Sequence, residues 1–363
     1  MSSFWSRNIS LSIFGESHGP AIGIVIDNLP PGEYIDVEKL RQFMARRAPK
    51  KDGTTTPRGE KDLPQIMSGL LNDRTTGVPL CAFIQNTDTR SKDYSNLARL
   101  PRPGHADYTG AMRYRGFNDV RGGGHFSGRL TAPLCFAGAV CGQILERRGI
   151  YTGAHIASVH GISDDAFSRT KVTKEDILEV RGKDFPVRND AQGEKMKEDI
   201  RNASQGGESL GGIIECVTIN MPAGVGSPIF EGLENTIAQL IFGIPAVKGL
   251  EFGAGFGVSA LRGSQNNDPF YYDAQGQVKT RTNHAGGILG GITNGMPLVF
   301  RAAFKPTPSI AQEQDTVNLE TGQNATLSIH GRHDPCIVPR AAAAVEAAAC
   351  VAVLELLAES GLL

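Results

Sequence analysis

Glycine occupies 44 of the 363 positions, against ~7% in an average chain, and no other feature constrains the fold as much. Glycine enters backbone conformations closed to other residues, so its abundance calls for many tight turns and for backbone lying close against something else. The glycines follow no three-residue period and apolar segments run between them, which excludes a collagen-like chain. They gather in four clusters: RGGGHFSGR (Arg121 to Arg129), Gly206 to Gly212, Gly249 to Gly257 and Gly286 to Gly295. Bare backbone N–H groups beside arginine and serine suit a phosphate; turns in a strand-rich protein are the other use of the same residues. The chain has no GxxxxGK[ST] motif. Gly122-x-Gly124-x-x-Ser127 breaks the dinucleotide fingerprint at its third glycine and has no clear strand before it, which disfavours a Rossmann dehydrogenase.

Apolar residues make up 40% and charged residues 21%, a globular balance that excludes disorder. A domain takes ~100–200 residues, so the length fits two domains or one large one. No repeat, low-complexity linker or boundary divides the chain. Ile22 to Ile26 reads as a strand ended by Asp27-Asn28 and Pro30-Pro31. Asp36 caps a predicted helix from Val37 to about Arg47 with Leu40 and Met44 on one face. Leu80 to Ile84, Ile213 to Ile219 and Leu298 to Phe304 read as strands. Thr173-x-x-Asp176 starts a helix, Leu233, Ile237, Leu240 and Ile241 have helical spacing, and the alanine-rich stretch Ala341 to Ala358 predicts a long one. Strands and helices mix without a βαβ repeat.

Lys plus Arg (37) nearly equals Asp plus Glu (38), so the chain has no global field to hold nucleic acid or an anionic membrane. From Arg41 to Arg58, however, six cations face Asp52 alone. Ala341 to Ala358 carries Glu346 and Glu355 and reads as a packed helix rather than a membrane span. The N-terminus has neither an uninterrupted apolar run nor a small-residue cleavage site, and the six scattered cysteines form no CxxC pair. A soluble, cytoplasmic protein without disulfides is expected.

Three of the eight histidines stand in polar contexts flanked by glycine or proline: Glu16-Ser17-His18-Gly19, Arg102-Pro103-Gly104-His105-Ala106-Asp107 and Gly331-Arg332-His333-Asp334-Pro335. Histidine gives and takes protons near neutral pH, so these suit acid–base work; structural hydrogen bonding is the alternative for each. No HExxH motif or Cys/His pair at zinc spacing occurs, so no metal site is expected. Ser17 beside His18 makes no hydrolase triad, since no GxSxG elbow accompanies it.

Seven segments, in order and from end to end, resemble the chorismate synthase family: FGESHGPAIGIVIDNLPPG (Phe14 to Gly32), RPGHADYTG (Arg102 to Gly110), RGGGHFSGR (Arg121 to Arg129), LRGSQNND (Leu261 to Asp268), NHAGGILGGITNG (Asn283 to Gly295), FKPTPSI (Phe304 to Ile310) and GRHDPC (Gly331 to Cys336). The resemblance implies one catalytic domain over residues 1–363, an α+β sandwich of antiparallel sheets and helices rather than a Rossmann fold, assembled as a homotetramer. It implies conversion of 5-enolpyruvylshikimate 3-phosphate to chorismate and phosphate by an anti-1,4-elimination that needs reduced FMN, the last step of the shikimate pathway. An external flavin reductase or reductant, with NADPH as its source, is implied as a partner.

Residue by residue, the resemblance makes His18 act at the departing phosphate, His105 at the flavin, and Asp334 in a relay that removes the C6 proton, with Ser17 and Ser127 positioning these groups. His125, Phe126, Ser127, Pro245, Ala246, Gly290, Arg332 and the stretch Lys305-Pro306-Thr307-Pro308-Ser309 would hold FMN. Lys305 and the hydroxyls of Thr307 and Ser309 suit a phosphate on physical grounds as well. Arg46, Arg47, Arg129 and Arg332 would bind the anionic substrate, arginine being favoured for its bidentate grip. The sequence departs from the family pattern in three places. His125-Phe126 replaces a common Arg-Ser, Gly53 stands where an arginine is usual and leaves Arg47 as the remaining NADP contact, and Pro308 replaces a serine. An NAD(P)-dependent oxidoreductase acting on a phosphorylated small molecule is the alternative reading of the glycine loops.

Overall fold

The computed structural model describes residues 3–50, 52–56, 59, 62–87, 97–329 and 334–363. Two five-stranded antiparallel sheets enclose a double layer of helices. The first sheet orders its strands Phe4–Ser6, Ser10–Gly15, Ala21–Asp27, Leu80–Gln85 and Gln65–Ser68. The second orders Val247–Phe252, Leu298–Phe304, Gly212–Ile219, Tyr151–Val159 and Ile162–Ser163. Ile22, Ile24 and Ile26 alternate along the central strand of the first sheet and are all buried, as a period of two demands. The fold is therefore the α+β sandwich expected, and among the described residues there is no parallel doubly wound sheet.

Helix α1 (Val37–Arg47) begins where Asp36 accepts hydrogen bonds from Glu38 N (2.9 Å) and Lys39 N (3.1 Å), and it buries Leu40 and Met44. Helix α2 is Asp107–Tyr114 and α3 is Thr131–Arg147. Helix α3 lies on the first sheet and packs against the C-terminal helix Val338–Glu359, which rests on Tyr151–Val159 and Gly212–Ile219 of the second. The contact between these two helices is made by small residues: a Cβ added to Gly138 would come within 2.2 Å of Ala347. Both helices are long and apolar enough to cross a membrane, but here both are mostly buried inside the protein. Helix α4 (Lys174–Arg181), opened by the Thr173–Asp176 capping box, covers the outer face of the second sheet, while α5 (Asp190–Gln205) and α6 (Leu233–Phe242) complete the helices used below. All six cysteines are free thiols, and burial pushes Cys135 and Cys350 up to about 12.

Two carboxylates on the C-terminal helix are fully buried, and each is answered by donors. Glu346 takes both Nη atoms of Arg46 (3.0 and 2.6 Å), Nε of Arg181 (2.8 Å) and the backbone N of Ala154 (3.3 Å). Arg181 also donates to Glu146 (2.5 Å) and to the carbonyl of Thr152. Glu355 accepts from Asn8 N (3.0 Å), Asn8 Nδ2 (2.9 Å) and Ile9 N (2.6 Å), tying the N-terminus to the same helix. His155 is likewise buried between Asp164 (2.9 Å) and Glu215 (3.2 Å). Burial works against its charge, but the two carboxylates raise its pKa above the ordinary histidine value.

Removing one partner of a buried ion pair leaves the other charge uncompensated and costs ~3–5 kcal/mol. Glu346→Ala is therefore expected to lower the unfolding free energy by about that amount. Chemical denaturation at fixed protein concentration checks it, and a loss below ~1 kcal/mol would show the network to be dispensable.

Candidate active site

A cavity of about 980 Å³ opens between the first sheet, the glycine loop at Arg121–Phe126, the end of α6 and the segment 304–309. Leu134, Leu240, Ile244, Ile337, Ala341 and Ala344 give it an apolar floor. Charged groups stand on its walls, among them Arg47, Arg102, Arg129, Lys248, Lys305 and Arg340. The apolar part suits a flat ring and the cations suit phosphate or carboxylate.

The glycine loop is built on three successive left-handed residues: Gly122 (φ 63°), Gly123 (φ 96°) and Gly124 (φ 53°). The element before it is the helix Asp107–Tyr114 and not a strand, a second departure from the dinucleotide fingerprint besides Ser127 at its third glycine position. A Cβ on Gly122 would lie 2.0 Å from the His18 ring, and one on Gly123 would lie 3.1 Å from His105 Nε2. The two histidines singled out from sequence therefore pack against adjacent residues of one loop. Their exposure differs: His105 lines the cavity, whereas His18 is buried beside Gly122 and is not on the lining. Ser17 Oγ donates to the Arg121 carbonyl (3.3 Å) and lies 3.2 Å from His18 Nδ1, and Ser17 N donates to Gly124 O (3.1 Å).

His125 lines the cavity with both ring nitrogens engaged, Nδ1 with Gly15 O (2.7 Å) and Nε2 with Ser3 Oγ (2.5 Å). Phe126 packs on Tyr114. Ser127 Oγ accepts from Arg129 N (3.2 Å) and caps the short turn that leads into α3. Pro245, Ala246, Lys305, Thr307, Pro308 and Ser309 all reach the lining, while Pro306 points away and Gly290 sits in the exposed turn between Ile288–Leu289 and Ile292–Thr293. Lys305 donates to Gly104 O. Burial, then the neighbouring Lys248 ammonium, holds Lys305 below its ordinary pKa, so an anion there would relieve both. Thr307 Oγ1 is buried with no hydrogen-bond partner among the described residues.

Arg47 and Arg129 converge on one buried carboxylate, Asp62, Arg47 at 2.6 Å. Burial works to raise the pKa of Asp62, but the two guanidiniums hold it below the usual carboxylate range. Asp334 stands on the lining between Thr56 N (2.8 Å) and Arg340 Nη1 (2.7 Å). Arg46 is put to a structural use: its guanidinium points away from the cavity into Glu346, since consecutive residues of α1 project from the helix in different directions. Arg332, and with it His333, lies outside the described residues. Sequence reasoning missed Arg102, Lys248, Arg340 and Asp62. Arg102 lay within the RPGHADYTG segment and Arg340 lies four residues beyond GRHDPC, so both were within reach of the motifs; Asp62 and Lys248 carried no local signal.

The family model described as chorismate synthase matches residues 9–358. A chorismate synthase of Dehalococcoides mccartyi is 45% identical over 363 residues, covering 100% of this chain and 98% of that protein. One from Thermococcus kodakarensis is 46% identical over 338 residues, covering 93% and 92%. A solved structure titled as the crystal structure of chorismate synthase superposes with a TM-score of 0.74 at 27% identity, covering 98% of this chain and 93% of that one.

Any side chain at position 122 must both hold a left-handed backbone, at ~1–2 kcal/mol, and displace the His18 ring. Gly122→Ala is expected to lower stability by about that amount and to shift the His18 imidazole resonances in NMR spectra. Unmoved resonances would contradict the packing described.

Proposed function

Since the chain belongs to the chorismate synthase family, which forms chorismate in the shikimate pathway, we propose that it converts 5-enolpyruvylshikimate 3-phosphate to chorismate and inorganic phosphate by anti-1,4-elimination with reduced FMN. The observation that carries this is one cavity in which arginines and lysines surround an apolar floor. The substrate bears one phosphate and two carboxylates, and a chain of net charge −1 needs such a local gathering of cations to hold it. At about 980 Å³ the cavity is at the upper end for one ligand and leaves room for a flavin and a small acid together.

The residues present fit a flavin mononucleotide. Thr307 Oγ1 is buried with no hydrogen-bond partner among the described residues, the Lys248 ammonium repels that of Lys305, and Leu134, Leu240 and Ile244 offer an apolar bed. Reduced FMN, when bound, supplies the electron density that eases loss of an allylic phosphate. The phosphate leaves with the C–O bond pair, the C6 proton passes into the relay to which Asp334 belongs, and a new double bond closes the balance without net oxidation. Arg47, Arg129 and Arg340 bind the substrate's anionic groups, exchanging part of their bonding to Asp62 and Asp334. His105 holds and moves a proton at Nε2 on the cavity wall. His18 gives a proton to the departing phosphate, for which Gly122 has to yield; a glycine backbone does so at little cost. Asp334, held by Thr56 N and Arg340 Nη1, is the anchored anion of that relay.

The reading extends to a homotetramer, supported by exposed aromatics such as Phe230, Phe256 and Tyr272, and to a cytoplasmic enzyme supplied by an external flavin reductase or NADPH-derived reductant. The rival NAD(P)-dependent oxidoreductase rested on the glycine loops, and the loop at Gly122–Gly124 lacks the preceding strand that such a site requires.

Anaerobic incubation with chemically reduced FMN and 5-enolpyruvylshikimate 3-phosphate is expected to yield equal chorismate and phosphate, with none formed when the flavin is oxidised. Absence of chorismate under reducing conditions would overturn the proposal. Replacing Lys305 by Ala together with Thr307 by Val is expected to weaken FMN binding ~10-fold or more, as for loss of a charge-assisted hydrogen bond, measured by titrating Trp5 fluorescence. Unchanged affinity would remove both from the flavin site.

A further inference from the structure

Resting on the reaction proposed above, we propose that Asp107 is a positioning residue that fixes the proton of His105 on Nδ1, leaving Nε2 as the atom that exchanges protons in the cavity. Asp107 does not touch the cavity lining; it acts through His105 and Arg102, which do.

His105 Nδ1 lies 2.6 Å from Asp107 Oδ1. An ionised carboxylate has no proton to give, so the hydrogen between them belongs to Nδ1. Asp107 is kept ionised. Burial works to raise its pKa, but hydrogen bonds from Arg102 and His105 hold it far below the usual carboxylate range. Arg102 donates Nε to Oδ2 (2.7 Å), Nη2 to Oδ1 (2.8 Å) and its backbone N to Oδ2 (3.0 Å). With the His105 contact, both oxygens accept two donors each, so the carboxylate cannot turn and the ring it holds cannot turn either. Arg102 Nη2 also passes 3.0 Å from Nδ1 and 3.4 Å from Nε2, alongside the ring. Arg102 Nη1 reaches Ser309 Oγ (3.1 Å), which joins the pair to the 305–309 stretch.

The other side of the ring is prepared for access. Gly123 faces Nε2, and a Cβ there would stand 3.1 Å away, so any other residue would cover the nitrogen. The contrast with two other histidines is decisive. His155 has a carboxylate on each nitrogen, and His125 has a carbonyl on one and a hydroxyl on the other; neither has a nitrogen to spare for chemistry. In His105 the carboxylate meets Nδ1, and Nε2 has only the long 3.4 Å approach of Arg102 Nη2. The Asp107 contact comes from local geometry: Asp107 is the first residue of α2, so His105-Ala106-Asp107 turns at the helix start and brings the carboxylate back onto the ring.

The test is made on the whole protein labelled with nitrogen-15 histidine, at a pH of about 8, above the ordinary histidine value of ~6.5. Long-range proton–nitrogen spectra, with His105 assigned by loss of its signals in His105→Gln, are expected to show Nδ1 protonated and Nε2 not. In Asp107→Asn the amide oxygen stays at the Oδ2 position with Arg102 N and Nε, and the amide nitrogen takes the Oδ1 position, where it faces Nδ1 and displaces Arg102 Nη2, so the proton moves to Nε2. That variant is expected to lose ~10²-fold or more in kcat for chorismate formation, the usual worth of a positioned acid–base group. KM and FMN affinity change less than kcat, whereas the melting temperature falls, because Arg102 is left buried with its counter-charge removed. A wild-type ring protonated on Nε2, or Asp107→Asn with wild-type kcat, would overturn the proposal. If the wild type forms no chorismate, the reaction proposed above fails, while the wild-type ring nitrogens still decide the pairing.

Discussion

The buried Glu346 carboxylate is the contact on which the arrangement of this protein turns. Its partners come from α1, α4 and the strand Tyr151–Val159, and it sits on the helix that separates the two sheets. A charge buried this deeply is tolerable only if every oxygen is satisfied, so the elements that satisfy it have one relative position. That position also sets the site. Arg46 enters Glu346 and the next residue, Arg47, faces the cavity; the helix that carries Glu346 also brings Arg340, Ala341 and Ala344 to the lining. One ion network thus places a wall and part of the floor.

Against this rigid frame stands a loop of three left-handed glycines. The loop is where His18 and His105 meet a common element, and glycine is required there because side chains at Gly122 and Gly123 would fall on the two rings. The high glycine content noticed in the sequence therefore has, at this place, a specific cause: backbone approaching imidazole.

The cavity cations are held in readiness by internal carboxylates. Arg47 and Arg129 share Asp62, Arg102 binds Asp107, and Arg340 binds Asp334. Paired in this way, guanidiniums can stay largely buried and correctly aimed without an external anion, and an arriving phosphate or carboxylate takes over bonds that already exist. A nearly neutral chain can in this way present a strongly cationic site. Lys305 and Lys248 are the exception: among the described residues neither has a carboxylate partner, and they share the lining with Thr307, whose hydroxyl has no hydrogen-bond partner among those residues.

Much of the secondary structure was legible in the residues because its causes are local. The Asp36 cap, the alternation of Ile22, Ile24 and Ile26, the Thr173–Asp176 box and the alanine-rich C-terminal helix each depend on a short window of side chains meeting their own backbone or one apolar face. The motifs likewise located His105, Asp334, Ser127, Lys305, Thr307, Pro308 and Ser309, which the fold brings onto one cavity. What the sequence determined alone was thus the elements and the chemical types at the site. Tertiary structure alone decided that Arg46 serves Glu346, 300 residues away, that Asp62 lies between Arg47 and Arg129, and that His18 is packed behind a glycine rather than open on the cavity wall. Such pairings depend on distances between remote segments, and those distances exist only once the two sheets have closed on the helices between them.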